Sequence, residues 1–129
     1  MTDTHGPIEI RVPADPHLSR VLRLAASGIA SLGEFTVDEI EDIKVAVSEI
    51  LLSLIEHGDG AAVDVTLDAL DDRFVIEAST LAKQFDTAHP NLVMSTTVLS
   101  GVCSSYEISH DAGRARISAI VVHVGSAIG

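Results

Sequence analysis

The sequence predicts an α/β sandwich, with helices packed on one face of a mixed, mostly antiparallel sheet. Three observations carry that expectation. Short segments alternate apolar and polar residues with the period of half-buried strands, and longer segments repeat apolar residues with the period of helices. Their order along the chain is β-α-α-β-β-(loop)-α-β-β. With 129 residues, of which 47% are apolar, the chain is sized for one domain with one core. Only 3% is aromatic, so that core must be built from Val, Ile, Leu and Ala.

Taken in order, residues 1–6 read as a flexible tail, 7–125 as the domain and 126–129 as a second tail. Ile8, Ile10 and Val12 alternate with Glu9 and Arg11, and Pro13 ends that strand. Pro16 opens a helix running to about Leu32, with Leu18, Val21, Leu22, Ala25 and Ile29 on its inner face and Gly33 as its stop. Thr36 and Glu39 form a capping box that starts a second helix lasting until Gly58. Val63, Val65 and Leu67 mark a strand, Asp71-Asp72 a turn, and Phe74-Val75-Ile76 the return strand. Thr80 to Pro90 has no period and reads as a loop, after which Asn91 caps a short helix through about Ser104. A second hairpin joins Tyr106-Glu107-Ile108 to Ile117–Val124 around Asp111-Ala112-Gly113. The nearly continuous apolar run Ile117–Val122 suits an interior strand.

Charge narrows the function classes. Eight basic against 19 acidic residues leave a net charge of −11. Nucleic-acid binding depends on clustered cations, so no nucleic-acid partner is expected, and a basic protein surface is the better complement. The single cysteine, Cys103, excludes an internal disulfide and reads as a buried, unactivated thiol. The six histidines show no metal-ligand spacing, so no metal is expected. His57, at a helix end, reads as a capping residue, and His123 as a hydrogen-bonded core or edge histidine. No basic–apolar leader pattern opens the chain and no apolar run approaches a membrane span, so a soluble, cytoplasmic protein is expected.

The second helix carries the chemistry. Ile40, Ile43, Val47, Ile50, Leu51 and Leu54 share one face, and Asp42, Ala46, Glu49, Ser53, Glu56 and His57 form a neighbouring stripe. Periodicity alone reads that stripe as a solvated face; its sequence says more. Glu41-Asp42-Ile43-Lys44-Val45-Ala46-Val47-Ser48-Glu49, with Ser53-Leu54-Ile55-Glu56-His57-Gly58, resembles the N-box helix of bacterial anti-sigma factors that are serine-protein kinases. These share the ATPase domain of gyrase, histidine kinases and MutL. The resemblance implies a histidine-kinase-like ATPase fold for the whole domain.

It also assigns roles. In that family a glutamate acts as general base on a partner's serine, and an asparagine four residues on holds the magnesium of ATP. Residues i and i+4 share a helix face, so both reach one transfer site. Glu49 stands at the base position, but Ser53 replaces the asparagine. At the family's adenine-reading acid stands Ser79 or Thr80, depending on alignment. Of the later glycine box, matching Met94–Val102, only Gly101 remains. With all three nucleotide motifs altered, neither ATP nor magnesium is expected as a cofactor. In the family a basic residue of the first helix contacts the sigma factor or its antagonist; Arg23 is the better match and Arg20 the alternative one turn away. The reading is an anti-sigma-factor-like regulator that sequesters a sigma factor by binding and is released by an anti-anti-sigma protein. An active serine-protein kinase with a divergent nucleotide site and an adaptor for another signalling protein remain as alternatives. The family also makes homodimers common.

Overall fold

The structure is a computed structural model and describes residues 5–124. Most of the first expected tail, residues 1–4, and the second, 126–129, lie outside the described residues. The chain runs β1 (Ile8–Val12), a 3-10 turn (Pro16–Leu18), α1 (Ser19–Ala30), α2 (Val37–His57), β2 (Val63–Ala69), β3 (Arg73–Leu81), α3 (Pro90–Val102), β4 (Ser105–Asp111) and β5 (Arg114–Val122).

The five strands form one sheet in the order β1-β2-β3-β5-β4. The sheet is antiparallel at all four pairings, where a mixed, mostly antiparallel one was expected. Two adjacent rows across it explain the two layers. Ile10, Val65, Ala78, Ile117 and Ile108 stand side by side, an apolar row under the helices. One residue along, Arg11, Asp64, Ser79, Arg116 and Ser109 make a wholly polar row on the opposite face. Side chains alternate between faces, so this register buries one set and solvates the other. As expected, β5 is interior, between β3 and β4.

The core lies between that apolar face and α1 and α2. Ile43, Ala46, Val47, Ile50, Leu51 and Leu54 of α2 meet Phe74, Ile76, Ile117 and Ala119 of the sheet. Burying one such Leu, Ile or Phe is worth ~1.5–3 kcal/mol, and a slip by one residue would turn a strand's buried set to the open face.

Several boundaries differ from expectation for identifiable reasons. The first helix opens as a 3-10 turn and ends at Ala30 rather than Leu32. Such a turn advances about 120° per residue against about 100° in an α-helix. A stripe counted at α-helical phase therefore drifts: Leu22, Ala26 and Ala30 are buried, whereas Val21 is 59% exposed. The third helix is capped by His89, not Asn91: Pro90 takes its first turn, and the Asn91 N–H donates to His89 Nδ1 at 3.1 Å. That helix ends at Val102. β3 continues through Thr80 to Leu81, because Ser79, Thr80 and Leu81 pair with Arg116, Ala115 and Arg114. β5 correspondingly starts at Arg114 and ends at Val122, after a tight turn with Ala112 and Gly113 at φ 51° and 74°.

Candidate functional site

The capping box at the start of α2 is complete: the Thr36 N–H donates to Glu39 Oε1 at 2.8 Å, and the Glu39 N–H to Thr36 Oγ1 at 3.1 Å. Glu39 does more than cap. It is buried against the far end of the sheet, where it meets His123 Nδ1 at 2.7 Å and accepts the Val124 N–H at 2.9 Å. Burial pushes its carboxyl up, but these hydrogen bonds outweigh that and hold it below the ordinary carboxylate value. These bonds tie the first turn of the helix to the chain just beyond β5.

That stripe is not a solvated face. Ala46 and Ser53 are buried, Asp42, Glu49 and His57 half-buried, and only Glu56 is exposed. The covering element is α3, which packs on α2. The Asn91 amide, in the first turn of α3, donates to Glu56 near the end of α2 at 2.6 Å. At the other end, Cys103 feels the charge of Asp42, so the two helices run antiparallel along the stripe. Burial, with that charge added, pushes the Cys103 thiol up to about 11, which makes it the unreactive thiol expected.

Beneath α3 the Ser53 hydroxyl is 3% exposed as a residue, and its oxygen has no hydrogen-bond partner among the described residues. Leu92 and Leu99 of α3 are fully buried. The loop before α3 closes the same end of the molecule. Phe85, 8% exposed, sets its ring edge-on to His57 with centroids 6.2 Å apart, and lies 6.0 Å from the His110 ring. His57, in the last turn of α2 with Gly58 as the C-cap, also sets its ring edge-on to His89 at 5.0 Å.

The two residues proposed for the adenine-reading position face opposite ways. Ser79 looks to the open side of the sheet, where Arg114 Nη1 donates to its hydroxyl at 2.9 Å beside Asp64. Thr80 looks to the helix side, fully buried, with its hydroxyl 3.2 and 3.1 Å from the carbonyls of Ala61 and Ala62. Gly58 comes so close that a Cβ there would lie 2.8 Å from Thr80 Cγ2 and 2.6 Å from the Leu54 carbonyl. Gly101 lies exposed within α3 with nothing near its Cα substituent position, an ordinary helical residue rather than part of a phosphate loop.

On α1, Arg20 is exposed. Arg23 is half-buried instead, with Nη1 3.1 Å from Ser48 Oγ on α2 and 3.4 Å from Ser19 Oγ. It ties the two helices together next to Glu49. Among the described residues, no group of three His, Cys, Asp or Glu side chains could hold a metal ion, and no helix is long and apolar enough to cross a membrane. The sequence did not announce Phe85 or the Glu56–Asn91 bond; the one available signal was a lone aromatic in a loop between polar residues.

The described residues form a two-layer sandwich of three helices on a five-stranded antiparallel sheet, with an acid-bearing central helix. Comparison with known proteins makes the relationship particular. The chain is 35% identical over 83 residues to the serine-protein kinase RsbW of Bacillus subtilis (strain 168), a match covering 61% of this chain and 52% of that one. It is 36% identical over 86 residues to the RsbW of Halalkalibacterium halodurans, covering 64% and 53%. The chain thus spans about half the length of the curated relatives it matches. Among solved structures, the RsbU and RsbW domains of Rv1364c from Mycobacterium tuberculosis align with a TM-score of 0.72 at 17% identity, over 90% of this chain and 32% of that one. The SiaB–SiaC complex of Pseudomonas aeruginosa aligns with a TM-score of 0.62 at 14% identity, over 89% of both. No protein-family model matches. The chain is related to the RsbW serine-protein kinases, as the Thr36–Gly58 stretch implied, and it has their fold.

Proposed function

We propose that this protein is an anti-sigma-factor-like regulator that acts by stoichiometric binding rather than catalysis. It sequesters a sigma factor and is released by an anti-anti-sigma protein, a cytoplasmic role in which Arg20 and Arg23 of α1 contact the partner. The observation that carries the non-catalytic part is Ser53, buried without a hydrogen-bond partner among the described residues on the stripe that α3 covers.

ATP and magnesium do not fit the residues at the family's nucleotide positions. A short hydroxyl sealed under α3 replaces the metal-holding amide. Thr80 already bonds to the Ala61 and Ala62 carbonyls, and the adjoining loop packs Phe85 into the core. Phosphoryl transfer rests on positioning a metal-bound phosphate, and these positions offer neither metal ligand nor phosphate cradle. The net charge of −11 supports the binding role, since complementary charge speeds encounter with a basic partner.

A second reading, an active serine-protein kinase, is favoured by Glu49, which keeps the family's base position on α2, half-buried. The test is affinity capture from native cell extract with identification of the eluate, followed by incubation of the captured antagonist with labelled ATP. A sigma factor or a small antagonist in the eluate, with no label transferred, is the expected result. Label on an antagonist serine overturns the binding-only reading in favour of the kinase.

A further inference from the structure

The two outer strands of the sheet, β1 and β4, end it in different ways. An outer strand presents a row of unpaired N–H and C=O groups, ordinarily blunted by short length, proline, lysine, a bulge or a cover. β1 is blunted, having five residues and a proline on either side, Pro7 and Pro13. β4 uses none of these devices. Its seven residues, Ser105–Asp111, include no Pro and no Lys. Its pairing with β5 runs without a bulge from Ser105 opposite Ile120 to Asp111 opposite Arg114. All of them except the half-buried Ile108 are exposed, so no described element lies over this edge. Every second residue of such a strand directs its N–H and C=O away from the partner it already has.

The side chains beside that edge determine what can pair with it. Glu107, Ser109 and Asp111 alternate with the others and face the open side of the sheet. Neither carboxylate has an ion pair among the described residues. Arg114, directly opposite Asp111, turns away from it: its Nη1 donates to Ser79 at 2.9 Å and lies 3.6 Å from Asp64. Glu107 shares a row with Ser118 and Glu77, so a second carboxylate stands behind it rather than a cation. Val75 and Ile120, with these two acids, line a groove of about 290 Å³ that suits the alkyl stem of a basic side chain. Arg116 stands behind the short Ser109, exposed and without an ion pair among the described residues. On the helix side the strand offers Tyr106 and the core-packed Ile108.

A strand laid antiparallel along β4 therefore meets acid, cation and acid at successive positions of its open face. Opposite charges directly across a strand pair stabilise it and like charges destabilise it. The complement carries basic, acidic and basic residues at every second position, with apolar residues opposite Ile108 and Tyr106. A second β4 does not supply it. That strand contains no Lys or Arg, and pairing it with itself about Ser109 sets Glu107 opposite Asp111. The net charge of −11 adds a general attraction for a basic protein.

From these features we infer that β4 is a docking edge, which takes an extended segment of a basic partner protein as an added strand of the sheet. Backbone pairing supplies the attachment and the alternating charges select the segment. The edge lies at the far end of the sheet from β2, against which α1 packs, so the inference stands or falls apart from the sigma-factor reading. The probe is a synthetic peptide, KTEVKVT, whose lysines meet Asp111 and Glu107, whose glutamate meets Arg116, and whose valines meet Ile108 and Tyr106. Titrated into the intact chain and followed by amide NMR, it should give saturable shifts confined to β4 and β5. Hydrogen exchange of the β4 amides not bonded to β5 should slow at the same time. The charge-reversed peptide ETKVEVT should bind at least tenfold more weakly. Glu107→Lys, an exposed change that breaks no ion pair among the described residues, should weaken KTEVKVT at least tenfold. The peptide KTEVEVT, with the charge exchanged at that one pair, should recover binding to the Glu107→Lys chain. Absence of saturable binding to wild type overturns the inference, as do shifts centred on another surface or equal binding of the two charge patterns. So does a wild type whose free-edge β4 amides are already protected without peptide, because another copy then covers the edge.

Discussion

Glu39 and His123 lie 84 residues apart in sequence and 2.7 Å apart in the fold, both buried, joining the first turn of α2 to the chain just beyond β5. The same carboxylate closes the capping box, so one side chain fixes both the start of the central helix and its position over the sheet. The T-shaped contacts of Phe35 with Phe74 and with His123 pack around this joint.

The first prediction follows from that carboxylate. Its pKa is lowered by folding, so the stabilisation it gives is complete above the ordinary value of 4.5 and is lost as the pH falls through the lower folded value. Thermal melts are expected to show a drop on acidification below pH 4.5 that Glu39→Gln makes smaller, the remainder coming from Asp15, Asp64 and Asp72, whose carboxyls are also held low. At neutral pH the same substitution should cost about 1–3 kcal/mol, the range for hydrogen bonds to a charged, buried group. A variant as stable as wild type at pH 7 would show the joint to be incidental.

How much of this was legible beforehand depended on the range of the interaction. The capping box was readable because Thr36 and Glu39 are three residues apart, and β2 because Val63, Val65 and Leu67 alternate without a break. The partners of Glu39 were not, since no local pattern links position 39 to 123. The covering of the α2 stripe was equally hidden. α3 buries only Leu92 and Leu99, seven residues apart, too sparse a stripe to announce which neighbour it packs against. Ser79 and Thr80 could not be separated from sequence, because their difference lies in which face of the sheet each occupies.

The second prediction concerns Ser53. A buried hydroxyl left without a hydrogen bond costs ~1–3 kcal/mol by mutational measures, so Ser53→Ala should leave the melting temperature unchanged or raise it. Ser53→Asn, which restores the family's amide, must push a larger polar group beneath α3 and should lose ~1–3 kcal/mol by overpacking. Calorimetry should find that it gains no ATP binding. Marked destabilisation by Ser53→Ala would mean that the hydroxyl has a partner after all.

The third addresses nucleotide directly. Titration calorimetry of wild type with ATP or ADP plus magnesium is expected to show no saturable binding at sub-millimolar concentration. Glu49→Ala should leave partner affinity within a few-fold of wild type. A magnesium-dependent micromolar isotherm would reject the binding-only reading and restore Glu49 as a base.

The fourth rests on Gly58 and Thr80. A methyl group on Gly58 would meet the Leu54 carbonyl at 2.6 Å and Thr80 Cγ2 at 2.8 Å. Gly58→Ala should therefore destabilise by about 1–3 kcal/mol, the usual cost of overpacking. Thr80→Ser in the same chain removes one of the two clashes and should recover part of that loss in a chemical denaturation series; full additivity of the two changes would argue against the contact.

The last prediction separates the two arginines of α1. The family resemblance favoured Arg23 as the partner contact, and the fold gives it a second task. Its guanidinium reaches Ser48 on α2 at 3.1 Å, half-buried, whereas Arg20 stands exposed one turn earlier. Arg23→Ala should thus lower stability by roughly 0.5–1.5 kcal/mol, the net worth of an ordinary hydrogen bond. Arg20→Ala should fall within about 0.5 kcal/mol of wild type, as surface changes do. Binding is measured separately, on folded protein well below its melting temperature. An interfacial arginine at a hot spot costs ~2 kcal/mol or more on truncation, and each ~1.4 kcal/mol is a factor of ten in affinity. At least one of the two substitutions is therefore expected to weaken capture of the sigma factor tenfold or more. Arg23→Lys resolves the overlap of roles at that position: it keeps the charge but loses the fork that spans Ser19 and Ser48. If Arg23→Lys restores capture without restoring stability, the residue contacts the partner. If neither Arg20→Ala nor Arg23→Ala weakens capture while both chains stay folded, the partner docks elsewhere than on α1.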